Sequence, residues 1–302
     1  MHGPADSMVE RLRGLLPPPS ADTDAGRTVI GLVGRGIQLS RSPRMHEEEG
    51  ARLGLRYTYV LIDFDELGLA DSALDEVVAA AAHAGFAGLN VTHPFKQSII
   101  ASLYRLSPEA AAIGAVNTVV LAGGARIGHN TDSWGFAESF REGMAGCALD
   151  RVALFGAGGA GAAVAHALLG LGTGQLTIVD PDARRTERLV ERLRAQGADV
   201  TRGEDVAAVV AGTDGLVNAT PIGMAKYPGT PLPVALLEPR HWVADIIYFP
   251  EETELLRAAR GLGCRTLPGT GMAVYQAVRA FQLFTGLAPD PRAMVRHFEA
   301  AA

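Results

Sequence analysis

The sequence has few of the residues that build disulfide scaffolds, metal centres or nucleic-acid surfaces. Only two cysteines occur in 302 residues, Cys147 and Cys264, far apart and without CxxC spacing. This argues against a disulfide framework or a zinc site and fits a reducing cytoplasm, which we take as the expected location. The eight histidines form no HxxxH pattern, so we expect no metal. A formal net charge of -6 leaves no basic patch, so we expect no nucleic-acid partner.

Long hydrophobic runs are also missing. No uninterrupted apolar stretch approaches the ~18 residues that cross a bilayer, so we expect no membrane association. The first residues carry acids and prolines rather than a basic segment followed by an apolar one, which argues against a secretory signal. Residues 1–26 are interpreted as a short helix or a flexible extension, and we leave them out of the fold prediction.

From Thr28 onward, strand and helix patterns alternate. Strands are predicted at Thr28–Val33, Tyr57–Ile62 and Ala87–Val91, with helical patterns between them. A second alternating unit begins at Arg151. This order predicts an α/β fold with mainly parallel sheets and two domains, with the seam near Asn130–Leu149. Clefts between domains are favoured ligand sites.

The stretch from Asn90 to Lys96 places polar side chains where a buried strand ends. A helix is predicted from Phe95 to Leu103, which puts Lys96 on its first turn. The positive end of the helix dipole disfavours a protonated amine there, so Lys96 is a candidate for proton transfer. A solvated lysine in an ordinary strand-to-helix turn is the alternative.

A glycine-rich motif follows the strand Val152–Phe155 and precedes an alanine-rich helix. This context predicts a dinucleotide site. Gly156 permits a tight turn, Gly158 lets the backbone approach a pyrophosphate, and Gly161 lets helix and strand pack closely. The pyrophosphate is expected at the N-terminus of the helix that begins near Ala160. The whole predicted loop is Gly156, Ala157, Gly158, Gly159, Ala160 and Gly161.

Asp180 ends the next strand of this unit. An acid at this position accepts hydrogen bonds from the adenosine ribose of NAD and repels the 2′-phosphate of NADP. Arg184 and Arg185 could instead pair with that phosphate. Because Pro181-Asp182 keeps the loop tip neutral to acidic, the sequence favours NAD, with NADP as the alternative.

Several ordered motifs resemble those of the shikimate dehydrogenase family, and they span about Thr28 to Gly286. They are Ser40-Arg41-Ser42-Pro43, Asn90-Val91-Thr92-x-Pro94-x-Lys96, Ala115-Val116-Asn117-Thr118, Asn130-Thr131-Asp132, the glycine-rich loop, Asn218-Ala219-Thr220-Pro221-x-Gly223-Met224, Asp245-x-x-Tyr248 and Gly271-Met272-x-x-x-Gln276.

The resemblance implies a discontinuous substrate-binding and catalytic domain (27–130 and 271–302) and a Rossmann-like dinucleotide-binding domain (131–270). It also implies residue roles. Ser40 and Ser42 match the residues that bind the substrate carboxylate. The residues that match ligands of the ring hydroxyls are Asn90, Thr92, Asn117 and Gln276, and Tyr248 matches a residue at the substrate edge. Lys96 and Asp132 match the catalytic pair. Cofactor contacts are assigned to the glycine-rich loop, Asp180, Arg185, Thr220, Pro221, Gly223, Met224, Gly269 and Met272.

The implied activity is reversible hydride transfer between the C3 hydroxyl of shikimate and NAD, with quinate as a second candidate substrate. The stretch NVTHPFK resembles the NAD-using quinate/shikimate branch, and Asp180-Pro181-Asp182 replaces the Asn-Arg-Thr clamp typical of NADP-dependent members. We expect His93 to be a loop packing residue. Some quinate-using members of the family have a threonine at the position that matches Ser42, which leaves quinate use open.

Two other functions remain as alternatives. One is an NADP-dependent biosynthetic shikimate dehydrogenase. The other is a dinucleotide-binding regulator without turnover, which the presence of both Lys96 and Asp132 disfavours. The expected partner is a small-molecule substrate, and the chain could be a monomer or a homodimer.

Overall fold

The computed structural model describes residues 4–17 and 26–300 and divides the chain into two compact units. The first comprises Met1–Thr131 and Ala277–Ala302, and the second Asp132–Gln276. The sequence had placed these boundaries at 130/131 and 270/271. Each unit contains a six-stranded sheet. Within the described residues, eight of the ten strand pairings are parallel, which confirms the predicted α/β class.

The first unit contains the first and the last described helices. Its elements are α1 (Pro4–Gly14), β1 (Arg27–Gly34), α2 (Ser42–Arg52), β2 (Arg56–Asp63), α3 (Leu74–His83), β3 (Gly88–Val91), β4 (Arg105–Leu106), α4 (Pro108–Ile113), β5 (Thr118–Ala122) and β6 (Ala125–His129). Two 3-10 turns, Asp71–Ala73 and Ser98–Ser102, lie among them.

The sheet of the first unit has the order β2-β1-β3-β5-β6-β4. β1 pairs in parallel with both β2 and β3, and its last six residues are buried, as expected for a β-branched apolar run in the middle of a sheet. β5 and β6 form an antiparallel hairpin. Its two-residue turn is Gly123-Gly124. A Gly-Gly pair between two strand patterns predicts a tight hairpin, and both glycines have the positive φ that such a turn requires.

The N-terminal helix α1 packs on α3 and belongs to the core of the first unit. Met8 and Leu12 are 5% and 0% exposed and join the same hydrophobic cluster as Val77 and Val78. Of the two alternatives for this segment, the short helix is confirmed for Pro4–Gly14, and the flexible extension is wrong there, because two apolar side chains one helical turn apart are buried on the domain. The rest of that expectation, at residues 1–3 and 18–25, lies outside the described residues.

The second unit has a six-stranded sheet that is wholly parallel. Its elements are α5 (Asp132–Gly143), β7 (Arg151–Phe155), α6 (Gly159–Gly170), β8 (Gln175–Val179), α7 (Ala183–Arg194), β9 (Val200–Arg202), α8 (Val206–Ala211), β10 (Gly215–Asn218), β11 (Trp242–Asp245), α9 (Glu254–Gly261) and β12 (Arg265–Leu267), with a 3-10 turn at Val234–Leu236. α10 (Thr270–Thr285) begins in this unit, and α11 (Pro291–Ala300) belongs to the first.

The strand order β12-β11-β10-β7-β8-β9 is that of a doubly wound dinucleotide-binding sheet. The chain order reverses between β7 and β10, and ligands of such sheets bind at the carboxyl ends of the strands on either side of that reversal. Helix α7 shows amphipathic spacing, because its buried residues recur every three or four positions: Thr186, Leu189, Val190 and Leu193.

No helix in residues 4–17 and 26–300 is both long and apolar enough to cross a membrane.

Candidate functional site

Asn90 lies near the carboxyl end of β3 and is 6% exposed. Its side-chain oxygen accepts a hydrogen bond from the hydroxyl of Tyr59 at 2.9 Å. Its Nδ2 donates to the carbonyl of Asn117 at 3.3 Å and to the hydroxyl of Thr118 at 3.1 Å. This predicted substrate ligand is therefore held on both sides of its amide by buried partners.

Lys96 lies in a turn, not on a helix, so the predicted helix Phe95–Leu103 is wrong. The Lys96 carbonyl accepts a hydrogen bond from the backbone N–H of Val116 at 2.7 Å, outside any helix. Only Ser98–Ser102 forms a short 3-10 turn. The helix-dipole argument for Lys96 therefore loses its basis. His93 in the same turn is exposed, so its expected packing role is also wrong.

Asn117 and Thr131 are joined by two hydrogen bonds. The backbone N–H of Thr131 donates to Asn117 Oδ1 at 2.8 Å, and Asn117 Nδ2 donates to the Thr131 hydroxyl at 2.8 Å. Both residues are buried. Asp132 follows Thr131 directly, opens α5 and is 4% exposed. A buried carboxylate at a helix start is favoured by the helix dipole.

Ser40 and Ser42 share one turn at the start of α2. The backbone N–H of Ser42 approaches the Ser40 hydroxyl at 3.3 Å, and both residues are half-buried. Asp63, at the end of β2, holds the loop before this turn by accepting hydrogen bonds from the backbone N–H groups of Gly36 and Ile37 at 2.9 Å each.

The charge of Asp63 is stabilised by this role. Burial alone would raise the pKa of Asp63, but hydrogen bonds from the Gln38 side chain and from nearby backbone N–H groups outweigh it and lower the pKa. The sequence alone did not identify Asp63. The sequence feature that could have identified Asp63 is an acid at the end of a predicted strand, which is the feature that identified Asp180.

The three glycines of the predicted pyrophosphate loop differ in the space around them. Gly158 is the N-cap of α6, and a Cβ built on it would meet nothing within 4 Å. The loop there is open to a ligand. A Cβ on Gly161 would lie 2.0 Å from the carbonyl oxygen of Gly156, so only glycine allows this close contact between helix and strand. Gly156 itself has φ +107, a left-handed value that favours glycine.

Asp180 follows β8 and contacts the glycine-rich loop. Its two carboxylate oxygens accept hydrogen bonds from the backbone N–H groups of Ala157 and Asp182, each at 2.8 Å. Asp182 is the N-cap of α7 and accepts from the backbone N–H of Arg185 at 3.0 Å. That hydrogen bond and the nearby arginines lower the pKa of Asp182. The guanidinium of Arg185 also lies 3.7 Å from the Asp182 carboxylate.

The predicted cofactor loop after β10 is held by Asn218. Asn218 Oδ1 accepts from the backbone N–H and the hydroxyl of Thr220, at 2.9 and 2.7 Å. Its Nδ2 donates to the carbonyl of Ile222 at 2.9 Å and to Asp245 at 3.1 Å. Asn218 is fully buried, so it fixes the path of the chain through Pro221.

Asp245 connects this loop to the chain after β11. It is 1% exposed and also accepts from the Ile247 N–H at 3.0 Å and from the Thr253 hydroxyl at 2.8 Å. Burial raises the pKa of Asp245 above its ordinary value, despite these three donors. Asn218 and Asp245 belong to the family motifs identified in the sequence. Their role as a shared support is visible only in the structure.

The remaining predicted residues of the second unit occupy varied surroundings. A Cβ on Gly269 would lie 2.3 Å from the Ile246 carbonyl, so this glycine permits a close backbone contact. Gly223 has φ +114, and Met224 beside it is 39% exposed. Met272 is 7% exposed, whereas Tyr248 and Gln276 are half-buried, and Gln276 Nε2 donates to the Ala273 carbonyl at 2.9 Å.

The predicted residues thus fall into groups within each unit. In the first unit the structure joins Asn90 to Asn117 through Thr118, and it places Ser40 with Ser42. In the second it joins the glycine-rich loop to Asp180. Lys96 and Thr92 belong to the first unit, and Asp132, Tyr248 and Gln276 to the second. Among the described residues, no cluster of three His, Cys, Asp or Glu side chains could hold a metal ion.

Two family models match the chain. The shikimate dehydrogenase substrate binding domain matches residues 32–119, and the shikimate 5'-dehydrogenase C-terminal domain matches residues 269–297.

Similar proteins align with nearly the whole length of this chain. The shikimate dehydrogenase (NADP(+)) of Streptomyces avermitilis is 52% identical over 271 residues, covering 88% of this chain and 93% of that protein. The quinate/shikimate dehydrogenase (NAD(+)) of Corynebacterium glutamicum strain R is 46% identical over 275 residues, covering 89% and 97%. The structure of quinate dehydrogenase from Corynebacterium glutamicum in complex with NAD superposes with a TM-score of 0.84 at 46% identity, covering 91% of this chain and 99% of that one. With identities and coverage at this level in both sequence and structure, the chain belongs to the shikimate dehydrogenase family.

Proposed function

We propose that this protein is a dehydrogenase that transfers hydride between the C3 hydroxyl of shikimate and NAD, and that it also accepts quinate. The observation that carries the proposal is the position of Asp180. It lies at the end of the second strand of a dinucleotide-binding sheet and contacts the loop that would hold the pyrophosphate. Similar proteins act on shikimate, quinate or both, which supports this substrate class.

The charge distribution after β8 supports NAD over NADP. The carboxylate of Asp180 would accept hydrogen bonds from ribose hydroxyls and repel a 2′-phosphate. Arg185 is the residue best placed in the sequence to pair with such a phosphate, but the carboxylate of Asp182 already lies beside its guanidinium. A second anion there would have to compete with Asp182 for the same cation.

The glycine-rich loop fits a dinucleotide. The open space around Gly158 would admit the pyrophosphate, and the N-terminus of α6 would stabilise its charge. Thr220, Met224, Gly269 and Met272 are proposed as further contacts. When bound, the nicotinamide supplies the hydride acceptor.

The reaction also needs a proton acceptor at the C3 hydroxyl. We assign this role to Lys96, with Asp132 as the second member of the catalytic pair that completes the proton path. Ser40 and Ser42 would bind the carboxylate through their hydroxyls, because neutral donors can fix a carboxylate without a full charge. Asn90, Thr92, Asn117 and Gln276 would bind the ring hydroxyls, with Tyr248 at the edge. A site built from such groups rejects analogues that lack a hydroxyl, since its own polar atoms would be left unpaired.

An NADP-dependent shikimate dehydrogenase is the second candidate. The observation that favours it is the NADP(+)-dependent relative from Streptomyces avermitilis at 52% identity. In this candidate Arg184 and Arg185 would pair with the 2′-phosphate, although Asp180 opposes it.

Initial rates for the four combinations of shikimate or quinate with NAD or NADP test the proposal. We expect a higher kcat/KM with NAD than with NADP for either substrate. A higher kcat/KM with NADP would select the second candidate. Binding of a dinucleotide without NADH or NADPH production in all four combinations would point to a regulator and refute both.

A further inference from the structure

Five buried side chains of the first unit form one continuous hydrogen-bond network. It runs from the Tyr59 hydroxyl through Asn90 and Thr118 to Asn117 and Thr131. Every member is at most 6% exposed, so water does not replace these bonds. Two of the members, Asn90 and Asn117, are proposed substrate ligands. The direction of each bond therefore determines what those ligands can offer.

The direction at Asn90 follows from a group that can only accept. The backbone carbonyl of Asn117 lies 3.3 Å from the Asn90 amide and has no proton to give. The Nδ2 end of Asn90 must therefore face this carbonyl, because an oxygen there would leave two acceptors in contact. The Oδ1 end then faces Tyr59 at 2.9 Å, and the Tyr59 hydroxyl must donate.

A second group, which can only donate, sets the other end of the network. The backbone N–H of Thr131 lies 2.8 Å from the Asn117 side chain, so Asn117 must present Oδ1 to it. The Thr118 hydroxyl lies 3.1 Å from both Asn90 Nδ2 and Asn117 Oδ1. It accepts from the first and donates to the second. No member can reverse without leaving a buried acceptor against an acceptor or a donor against a donor.

With these directions, Asn90 can make one more hydrogen bond to a ligand, and only as an acceptor. Both of its N–H groups are used, by the Asn117 carbonyl and by Thr118. Its Oδ1 accepts one hydrogen bond from Tyr59 and retains a second lone pair. We propose that Tyr59 is a positioning residue that fixes the place of Asn90 Oδ1, so that the acceptor presented at this position of the pocket selects a substrate hydroxyl that donates. The inference rests on the proposed function, in which Asn90 binds a ring hydroxyl.

Tyr59 is itself fixed by aromatic packing. Its ring lies 4.9 Å from that of His46, centroid to centroid, and the residue is 5% exposed. Tyr57, two residues earlier on β2, packs in the same cluster and is 8% exposed. The Tyr57 hydroxyl contacts His46 Nδ1 at 3.2 Å. Tyr57→Phe therefore removes a buried hydroxyl of the same kind from the same strand, but that hydroxyl contacts His46 and not the network.

The experiment compares Tyr59→Phe with Tyr57→Phe. Tyr59→Phe keeps the ring and its packing but removes the donor to Asn90. We expect the KM for shikimate to rise about tenfold, because a buried hydrogen-bond partner of the ligand-binding amide is lost. The KM for the dinucleotide should stay within about twofold of the wild-type value. Tyr57→Phe should leave both values within about twofold, and similar thermal midpoints for the two variants would show equal structural cost.

Dissociation constants of the three monodeoxy analogues of the substrate identify the hydroxyl. For one of them, which lacks the hydroxyl that donates to Asn90, wild type and Tyr59→Phe should bind equally well. The other two should retain the difference. An equal rise in KM for both variants, or an undiminished difference with all three analogues, overturns the inference while leaving the proposed function intact. A wild-type protein that turns over neither shikimate nor quinate refutes the proposed function and, with it, this inference.

Discussion

The carboxylate of Asp180 accepts a hydrogen bond from the backbone N–H of Ala157 at 2.8 Å, which ties the end of β8 to the glycine-rich loop after β7. Its second oxygen accepts from Asp182. Because a carboxylate offers about four lone-pair sites, these two bonds leave capacity for ribose hydroxyls. The same side chain thus shapes the loop and is proposed to select the cofactor, and a test has to separate the two roles.

Asp180→Asn removes the charge but keeps the shape and one acceptor oxygen. Because the repulsion of a 2′-phosphate is lost, we expect the ratio of kcat/KM for NAD to that for NADP to fall about tenfold, which corresponds to about 1.4 kcal/mol. Steady-state rates with each cofactor measure the ratio. Asp205→Asn, at the N-cap of α8 in the same unit, is the control and should leave the ratio unchanged. An unaltered ratio in Asp180→Asn would remove this acid from cofactor selection.

Gly158→Ala should separate cofactor binding from folding. The added Cβ meets nothing within 4 Å, so the free energy of unfolding should change by less than about 1 kcal/mol. A pyrophosphate close to the backbone would meet that methyl group, so we expect the dissociation constant for the dinucleotide to rise at least about tenfold. Calorimetric titration measures it.

Gly170→Ala is the matched control, because its Cβ also meets nothing within 4 Å, at the far end of the same helix. If Gly158→Ala and Gly170→Ala bound the dinucleotide equally well, the ligand would not approach Gly158.

The elements that sequence patterns predicted correctly are those whose signal is local. Val152–Phe155 with Gly156, Gly158 and Gly161 is a strand, a turn and a helix start within ten residues, and the structure reproduces it. The Gly123-Gly124 hairpin is of the same kind. In both cases glycine conformation and short-range periodicity determine the structure, and both depend only on residues that are close together in the sequence.

The elements that sequence patterns missed depend on distant partners. The predicted helix at Lys96 fails because the Lys96 carbonyl bonds to Val116, twenty positions away. The burial of α1 depends on α3, which no pattern near Met8 reveals. The supports at Asp63, Asn218 and Asp245 bring together several short segments, so their roles appear only when those segments are folded. The proposed ligand-binding residues came from family motifs rather than from periodicity.

Lys96→Met should abolish the proton step while keeping a side chain of similar length. We expect kcat to fall by about 10²- to 10⁴-fold, the usual contribution of a positioned acid or base. The dissociation constant of shikimate should rise much less. Gln97→Met changes the exposed neighbour in the same turn and should leave kcat within about twofold. Undiminished turnover in Lys96→Met would require another proton acceptor.

His46 should make the protein sensitive to acid. Complete burial lowers the pKa of His46 from 6.5 to about 3, so the folded protein keeps it neutral while the unfolded chain binds a proton below pH 6.5. Its contribution to stability is therefore present above pH 6.5 and is lost as the pH falls towards 3. The slope from this residue approaches about 1.4 kcal/mol per pH unit. In His46→Phe, urea unfolding between pH 6.5 and 4.5 should show a shallower loss than in wild type. Parallel curves would mean that His46 is not the group that titrates.

Asp245 should act in the opposite direction on the pH scale. Burial raises its pKa in the folded protein, so the protonated form is favoured on folding, and its contribution to stability is lost as the pH rises through that raised pKa. Asp245→Asn is neutral at every pH. Its Oδ1 can still accept from Asn218 and Ile247, and its Nδ2 can donate to the Thr253 hydroxyl. We expect the variant to gain stability relative to wild type as the pH rises from 4 to 7.

Asp245→Ala provides the comparison, because it leaves the donors of Asn218, Ile247 and Thr253 without their shared acceptor. It should lower the free energy of unfolding by about 3 kcal/mol at pH 7. Since Asn218 also holds Thr220, the KM for the dinucleotide should rise in Asp245→Ala and stay near the wild-type value in Asp245→Asn. Urea unfolding and initial rates measure the two effects. If Asp245→Ala lost stability but kept the wild-type KM for the dinucleotide, the Asp245 and Asn218 contact would support the fold without shaping the cofactor loop.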